Sequence, residues 1–281
     1  MSERKTSQSV MVITPHGRRM FPNIRELIRA KDTLFMLTMR RLKVRYRQTY
    51  IGILWVLFQP LTMMAVMSVV FGYRGLGIED SSVPYPLFIL SGFVVWQFFT
   101  RACREGTQRL FGERALMSRV YFPRLIIPIS VIICATIDLL MPLLLVLLSS
   151  LIFVPELLGW RVTLVPFFIL LQVVFTFGVI LWTSALNVKF RDIQMLIPFI
   201  TLVLMFVSPI VFPLQHLPNS VRAILSVNPI AVSVEGVRWA LYGVHWIGVL
   251  QISAACFISI LLLVSGLIVF QRQQRVVDDY I

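Results

Sequence analysis

Six stretches of this chain run for about 20 residues or more with almost no charge, the length a helix needs to cross about 30 Å of hydrocarbon. Lipid offers no hydrogen bonds, so each stretch must satisfy its own backbone, and helices are the expected form. Spans are predicted at about 51–73, 84–102, 124–154, 162–187, 194–212 and 244–270. The expected fold is therefore all-α and integral to a membrane, a single transmembrane domain over 1–281. A polar tail occupies 1–20 and a helix of the membrane interface 22–48. Composition agrees: 58% of the residues are hydrophobic and 14% charged, against about 25% charged in soluble domains. No room is left for a separate soluble enzyme domain. The polar first fifty residues predict no cleaved signal peptide, so the first span is expected to direct insertion.

The distribution of basic residues sets the orientation. Of 26 Lys and Arg, all but Arg74, Arg161, Arg222 and Arg238 fall before the first span, between spans two and three, between four and five, or after the sixth. Positive charge is retained on the cytoplasmic side, so both termini are expected there, in the cytoplasmic (inner) membrane of a cell. A net charge of +13 raises the question of nucleic acid, but the cations cluster beside apolar segments. No nucleic-acid partner is expected; the expected surroundings are membrane lipids.

Immediately before the first span, Arg40, Arg41, Lys43, Arg45 and Arg47 place five cations within eight residues. Phe35, Met39, Leu42 and Tyr46 recur at intervals of four, three and four, which predicts an amphipathic helix lying in the interface plane with the cations on its other arc. Two readings fit these cations. They are a signal that fixes topology, or they also meet a phosphate-bearing substrate arriving from the cytoplasmic leaflet.

Other features are local. The third span is long for one crossing and is expected to kink at Pro128 or Pro142 and to extend into water. Ser208-Pro209, Pro213 and Pro218 interrupt the fifth window, and Asn228-Pro229 precedes a helical pattern over Ala231 to Tyr242. A folded external or re-entrant segment is expected there, capping a cavity mouth. Within it Glu235 and Arg238 are spaced to pair. Asp138 is the one acid inside a span, and burying it unpaired costs at least about 2.5 kcal/mol. It is either glue between helices or part of a wet path, and a lone acid makes no proton relay. Tyr85, Phe88, Gly92, Trp96 and Phe99 form a stripe on the second span, fit either for helix packing or for stacking on the apolar faces of sugars.

Much chemistry is missing. No Gly-Lys pair exists, so no P-loop cradles nucleotide phosphates. His16, His216 and His245 lack metal-ligand spacing, and Cys103, Cys134 and Cys256 are spaced as buried small hydrophobes, so neither a catalytic residue nor a metal is expected.

Leu42-Lys43-Val44-Arg45-Tyr46-Arg47-Gln48-Thr49-Tyr50-Ile51-Gly52-Ile53-Leu54-Trp55 followed by Gln59-Pro60-Leu61 resembles the N-terminal signature of ABC-2 type permeases that export O-antigen, capsule and teichoic acid. Tyr121-Phe122-Pro123-Arg124, Phe190-Arg191-Asp192-Ile193, Ser208-Pro209-Ile210, Asn228-Pro229 and Glu235-Gly236-Val237-Arg238 match in the family's order. The resemblance implies a homodimer of six-helix permeases served by two copies of an ABC ATPase. The cargo would be a polyprenyl-pyrophosphate-linked polysaccharide. No cofactor would bind this chain; ATP and magnesium would act in the partner. It also implies a coupling helix within about Glu105 to Ser118, where Glu105, Arg109 and Glu113 have the spacing of a short exposed helix; the alternative is a solvated loop, and the arginines there fit docking and topology equally. Arg40, Arg41, Arg45 and Arg47 would lie near the access point of the lipid pyrophosphate. A permease for a small lipid or drug is the nearest alternative. A membrane enzyme acting on polyprenyl-linked sugars is a weaker one, because it would need clustered acids or histidines.

Overall fold

The computed structural model describes residues 24–47, 54–72, 83–113, 122–211, 218–244 and 248–280, and these hold ten α-helices. Two lie before the first span, α1 (Ile24–Arg29) and α2 (Lys31–Arg47). Then come α3 (Leu54–Gly72), α4 (Tyr85–Gly112) and α5 (Ile126–Phe153). Two 3-10 turns, Pro155–Leu157 and Trp160–Leu164, lead into α6 (Val165–Lys189), and α7 (Ile193–Val207) follows. The chain closes with α8 (Asn219–Leu225), α9 (Pro229–Tyr242) and α10 (Val249–Tyr280). The predicted tail 1–20, the start of the first span at 51–53, Pro213 and His216 lie outside the described residues.

Five of these helices are long and apolar enough to cross a membrane: α3, α4, α5, α6 with its preceding turn, and α10. The sequence windows anticipated each of them. The fifth predicted span is shorter than expected, since α7 has 15 residues and ends at Val207 rather than near Phe212. The cause is local: Pro209 forces the residue before it out of the helical region, and Ser208 is extended with ψ 148°.

The centre of the bundle is α4, which packs against α3, α5, α6, α7 and α9. Its buried set continues past the predicted end of the second span through Ala102, Cys103, Gly106, Thr107 and Leu110, a helical stripe at spacings of one and three. Gly106 makes this possible, because a Cβ there would come within 2.5 Å of Ile180. Thr107 then donates to Thr183 at 2.8 Å, and Asn187 donates to the Thr107 carbonyl at 2.9 Å. These bonds lock the lower part of α4 to α6.

The partner of α6 on its other side is α10. Gly178 and Gly266 bring their backbones together, for a Cβ on Gly178 would lie 2.9 Å from the Leu263 nitrogen and one on Gly266 3.0 Å from the Gly178 carbonyl. Small residues at such a contact are how helices approach closely in lipid.

The short helix α9 is buried along nearly its whole length. Asn228 caps it by accepting from the Ile230 N–H at 3.1 Å, Pro229 starts it, and Gly243 ends it at φ 71°. A helix over Ala231 to Tyr242 is what the pattern predicted, and it begins two residues earlier, at Pro229; its burial was not predicted. By contrast α3, α7 and α10 expose large apolar side chains such as Phe58, Phe199, Phe206 and Phe257. Apolar surface on that scale belongs against lipid or protein, and with the five long apolar helices it makes this a multi-pass membrane protein.

Candidate functional site

The cationic helix α2 exposes only part of the basic arc that the periodicity predicted, Arg40 and Lys43. Leu37, Thr38 and Arg41 are buried, at intervals of one and three, while Phe35 is 66% exposed. The predicted apolar face is thus rotated: Phe35 turns outward and Arg41, assigned to the polar arc, is only 9% exposed. The reason lies in α4 and α5, which present acids to this helix. Arg41 meets Glu113 at 3.5 Å, and Arg45 donates to Glu105. On the α5 side, the Cys134 thiol lies 3.6 Å from the Thr38 carbonyl and Arg45 bonds Asp138. The helix therefore packs against α5 and reaches α4 through its two arginines. Arg40 is exposed, and the side chain of Arg47 lies outside the described residues.

Asp138 is consequently not a lone acid. It is 5% exposed, accepts from Arg45 through one oxygen and from the Tyr46 hydroxyl through the other, and has Arg101 of α4 at 3.7 Å. Its partners are charged and phenolic groups drawn from two other helices. Burial works against the Arg45 cation, but the charges of Glu105 and Asp138 outweigh it and hold its pKa above the ordinary arginine value. Burial, then the bond to Asp138, pushes the Tyr46 phenol up, so it stays a protonated donor. For Arg41 burial prevails over Glu113 and the pKa falls. Arg101 and Asp138 also line a crevice between α3, α4 and α5 with Val56, Gln97 and Pro142.

The described part of the segment in which a coupling helix was expected is the end of α4. Glu105, Arg109 and Glu113 continue the long helix and its cap, and both acids turn toward α2 rather than toward Arg109. The later part of that segment, 114–118, lies outside the described residues, as does Tyr121.

The aromatic stripe is core. Phe88, Trp96 and Phe99 are each no more than 3% exposed, and Phe99 stacks on Phe175 of α6 at 5.9 Å. Tyr85, at the start of α4, is half-buried and donates to the Val211 carbonyl at 3.1 Å. Gly92 serves another purpose than the stripe: a Cβ there would lie 2.3 Å from Nη2 of Arg238. That guanidinium is fully buried in α9, where it pairs with Glu235 at 3.0 Å as its spacing predicted. It also donates to the carbonyls of Pro209, Ile210 and Phe88 at 2.6, 2.7 and 3.0 Å and covers the Phe88 ring at 3.4 Å. One side chain thereby ties α9 to the end of α7 and to α4.

Gln97, Arg101 and Tyr46 were not singled out from sequence as parts of a common site. The available signal was Asp138: a carboxylate in a span demands a cation, and Arg101, one turn from the apolar part of α4, was a nearby choice in the topology.

Comparison with known proteins places this arrangement in a family. The profile described as ABC-2 type transporter matches residues 32–242, from the start of α2 to the end of α9. The O-antigen export system permease protein RfbA of Myxococcus xanthus is 26% identical over 255 residues, covering 90% of this chain and 96% of that protein. The protein of the same name from Klebsiella pneumoniae is 28% identical over 244 residues, 86% of this chain and 92% of its own. The polysialic acid transport protein KpsM of Escherichia coli is 24% identical over 221 residues, 73% and 79% respectively. Membership of that family implies an ATPase partner and makes this chain the membrane subunit, not the ATPase. With its buried α9, its long apolar helices and a match across most of its length, the chain belongs to the ABC-2 type transporter permeases.

Proposed function

We infer that this permease exports a polyprenyl-pyrophosphate-linked polysaccharide of O-antigen or capsule type across the cytoplasmic membrane. Two copies of the chain would form the conduit and two copies of a separate ATPase would drive it. The observation that supports this reading is the alignment with O-antigen permeases over 96% and 92% of their own lengths. Six spans per copy, with both termini cytoplasmic, follow when α7 is counted as a short fifth crossing completed by the turn at Ser208 to Val211. The exposed apolar faces of α3 and α7 suit a second copy as well as lipid.

A pyrophosphate cannot cross hydrocarbon unaided, so the cargo needs cations at the cytoplasmic leaflet and a wet path beyond. Arg40, Arg41, Arg45 and Arg47 are the residues of α2 assigned to the first task, with Arg45 the best placed because it reaches the crevice residue Asp138. Of the aromatic stripe, Tyr85 alone keeps the exposure to meet a sugar in this arrangement. The acids Glu105 and Glu113 join the end of α4 to α2, so movement imposed there by nucleotide-driven closure of the ATPase would reach the cationic helix directly.

The test is complementation. Cells lacking the permease should accumulate glycan inside, and the wild-type gene with its ATPase should return it to the surface. Arg45→Glu, recovered in the membrane fraction at normal level, should lower surface glycan at least about tenfold. Normal export by that variant would remove Arg45 from the role, and restored export of a drug or small lipid without glycan would replace the substrate.

A further inference from the structure

Three donors converge on one buried carboxylate. Arg45 and Tyr46 from α2 bond the two oxygens of Asp138, and Arg101 from α4 approaches the oxygen taken by Arg45 at 3.7 Å. Nearby, Gln97 is 8% exposed, lines the same crevice, and its Nε2 has no partner among the described residues. Asp138 takes hydrogen bonds from Arg45 and Tyr46 only and leaves Arg101 at 3.7 Å and Gln97 without one, whereas a phosphate with three or four acceptor oxygens could engage all four donors. The charges tell a similar story. Arg45 and Arg101 are balanced by Asp138 and Glu105, so the cluster is neutral while it holds no ligand. The crevice offers about 20 Å³ of water-accessible space, enough for a water molecule, and opens toward solvent. A phosphate drawn to these donors would compete with the carboxylate for them.

We propose that Asp138 is a resident counter-anion standing where a lipid-borne phosphate binds, and that Arg45, Tyr46, Arg101 and Gln97 are the donors that receive that phosphate once Asp138 and Glu105 are displaced. This rests on the reading of the substrate as a lipid-linked pyrophosphate. It adds three residues to the site and makes the two acids competitors of the substrate. It also makes binding a mechanical event. Arg45 ties α2 to α4 through Glu105 and to α5 through Asp138, so exchanging either acid for phosphate releases α2 from an element of the bundle.

The experiment measures binding by calorimetry to the full-length chain in dodecyl maltoside, a detergent without phosphate. The probes are farnesyl pyrophosphate, inorganic pyrophosphate and short-chain phosphatidylglycerol. Asp138→Asn should bind farnesyl pyrophosphate at least about threefold more tightly than wild type, since a competing charge is gone while the donors remain. Glu105→Gln should move in the same direction, and Arg101→Ala should weaken binding. Unchanged or weaker affinity in a monodisperse Asp138→Asn protein overturns the proposal. So does tightening for phosphatidylglycerol alone, which would make this a site for structural lipid. If Asp138→Asn does not fold, Glu105→Gln decides by the same criterion, its side chain being partly exposed. Arg45→Ala separates the two ideas: wild-type affinity in that variant removes Arg45 from substrate binding altogether, whatever the acids do.

Discussion

Arg238 shows how much one side chain can decide. Its guanidinium bonds Glu235 and three carbonyls from two other parts of the chain, all out of contact with water. Removing one partner of such a pair leaves the other charged and buried, so Arg238→Ala should cost about 3–5 kcal/mol, read as a lowered thermal midpoint in detergent. Gly92→Ala tests the same contact from the opposite side. Its Cβ would overlap the guanidinium, and a loss of about 1–3 kcal/mol is expected. If the midpoint of Gly92→Ala matched wild type, Arg238 would not need the space. The Glu235–Arg238 pair was legible from spacing alone, because i and i+3 share a helix face. The role of Gly92 was not, since a glycine within a run of aromatics reads as part of their stripe until the opposing helix is known.

At the scale of elements, the contact between α6 and α10 depends on two glycines. A Cβ on Gly178 meets backbone atoms of Leu262 and Leu263, which cannot swing away as a side chain would. Gly178→Ala should therefore push the helices apart and destabilise the protein by about 1–3 kcal/mol, measured by thermal unfolding and by the fraction that is monodisperse. Placing the same substitution at Gly112, where a Cβ meets nothing, provides the control and should leave the midpoint unchanged. The long helices were readable from apolar windows, α9 was placed to within two residues at its start, and the short helix α8 was not foreseen. The face of α2 was misjudged for a physical reason. Two arcs of a helix rich in Arg and Leu compete for burial, and acids on α4 and α5 decided that Arg41 and Arg45 face inward.

For the whole molecule, orientation is the claim that all mechanism depends on. Single cysteines placed in the N-terminal tail and after α10, in a protein cleared of its three native cysteines, should react with an impermeant maleimide only when the cytoplasmic face is accessible. Labelling of the two ends from opposite faces would refute an even number of crossings. The chain by itself determined that it is helical, that it lives in a membrane and where its long apolar helices lie, because hydrocarbon forbids unsatisfied backbone and the positions of charge report directly on the boundary. Only the tertiary structure decided that Asp138 has Arg45, Tyr46 and Arg101 around it, that the aromatic stripe is core, and that α4 continues to Gly112 as one helix. Those outcomes depend on which neighbour supplies a counter-charge or fills a groove, and Arg45 and Asp138 are too far apart in sequence for any local periodicity to register the contact.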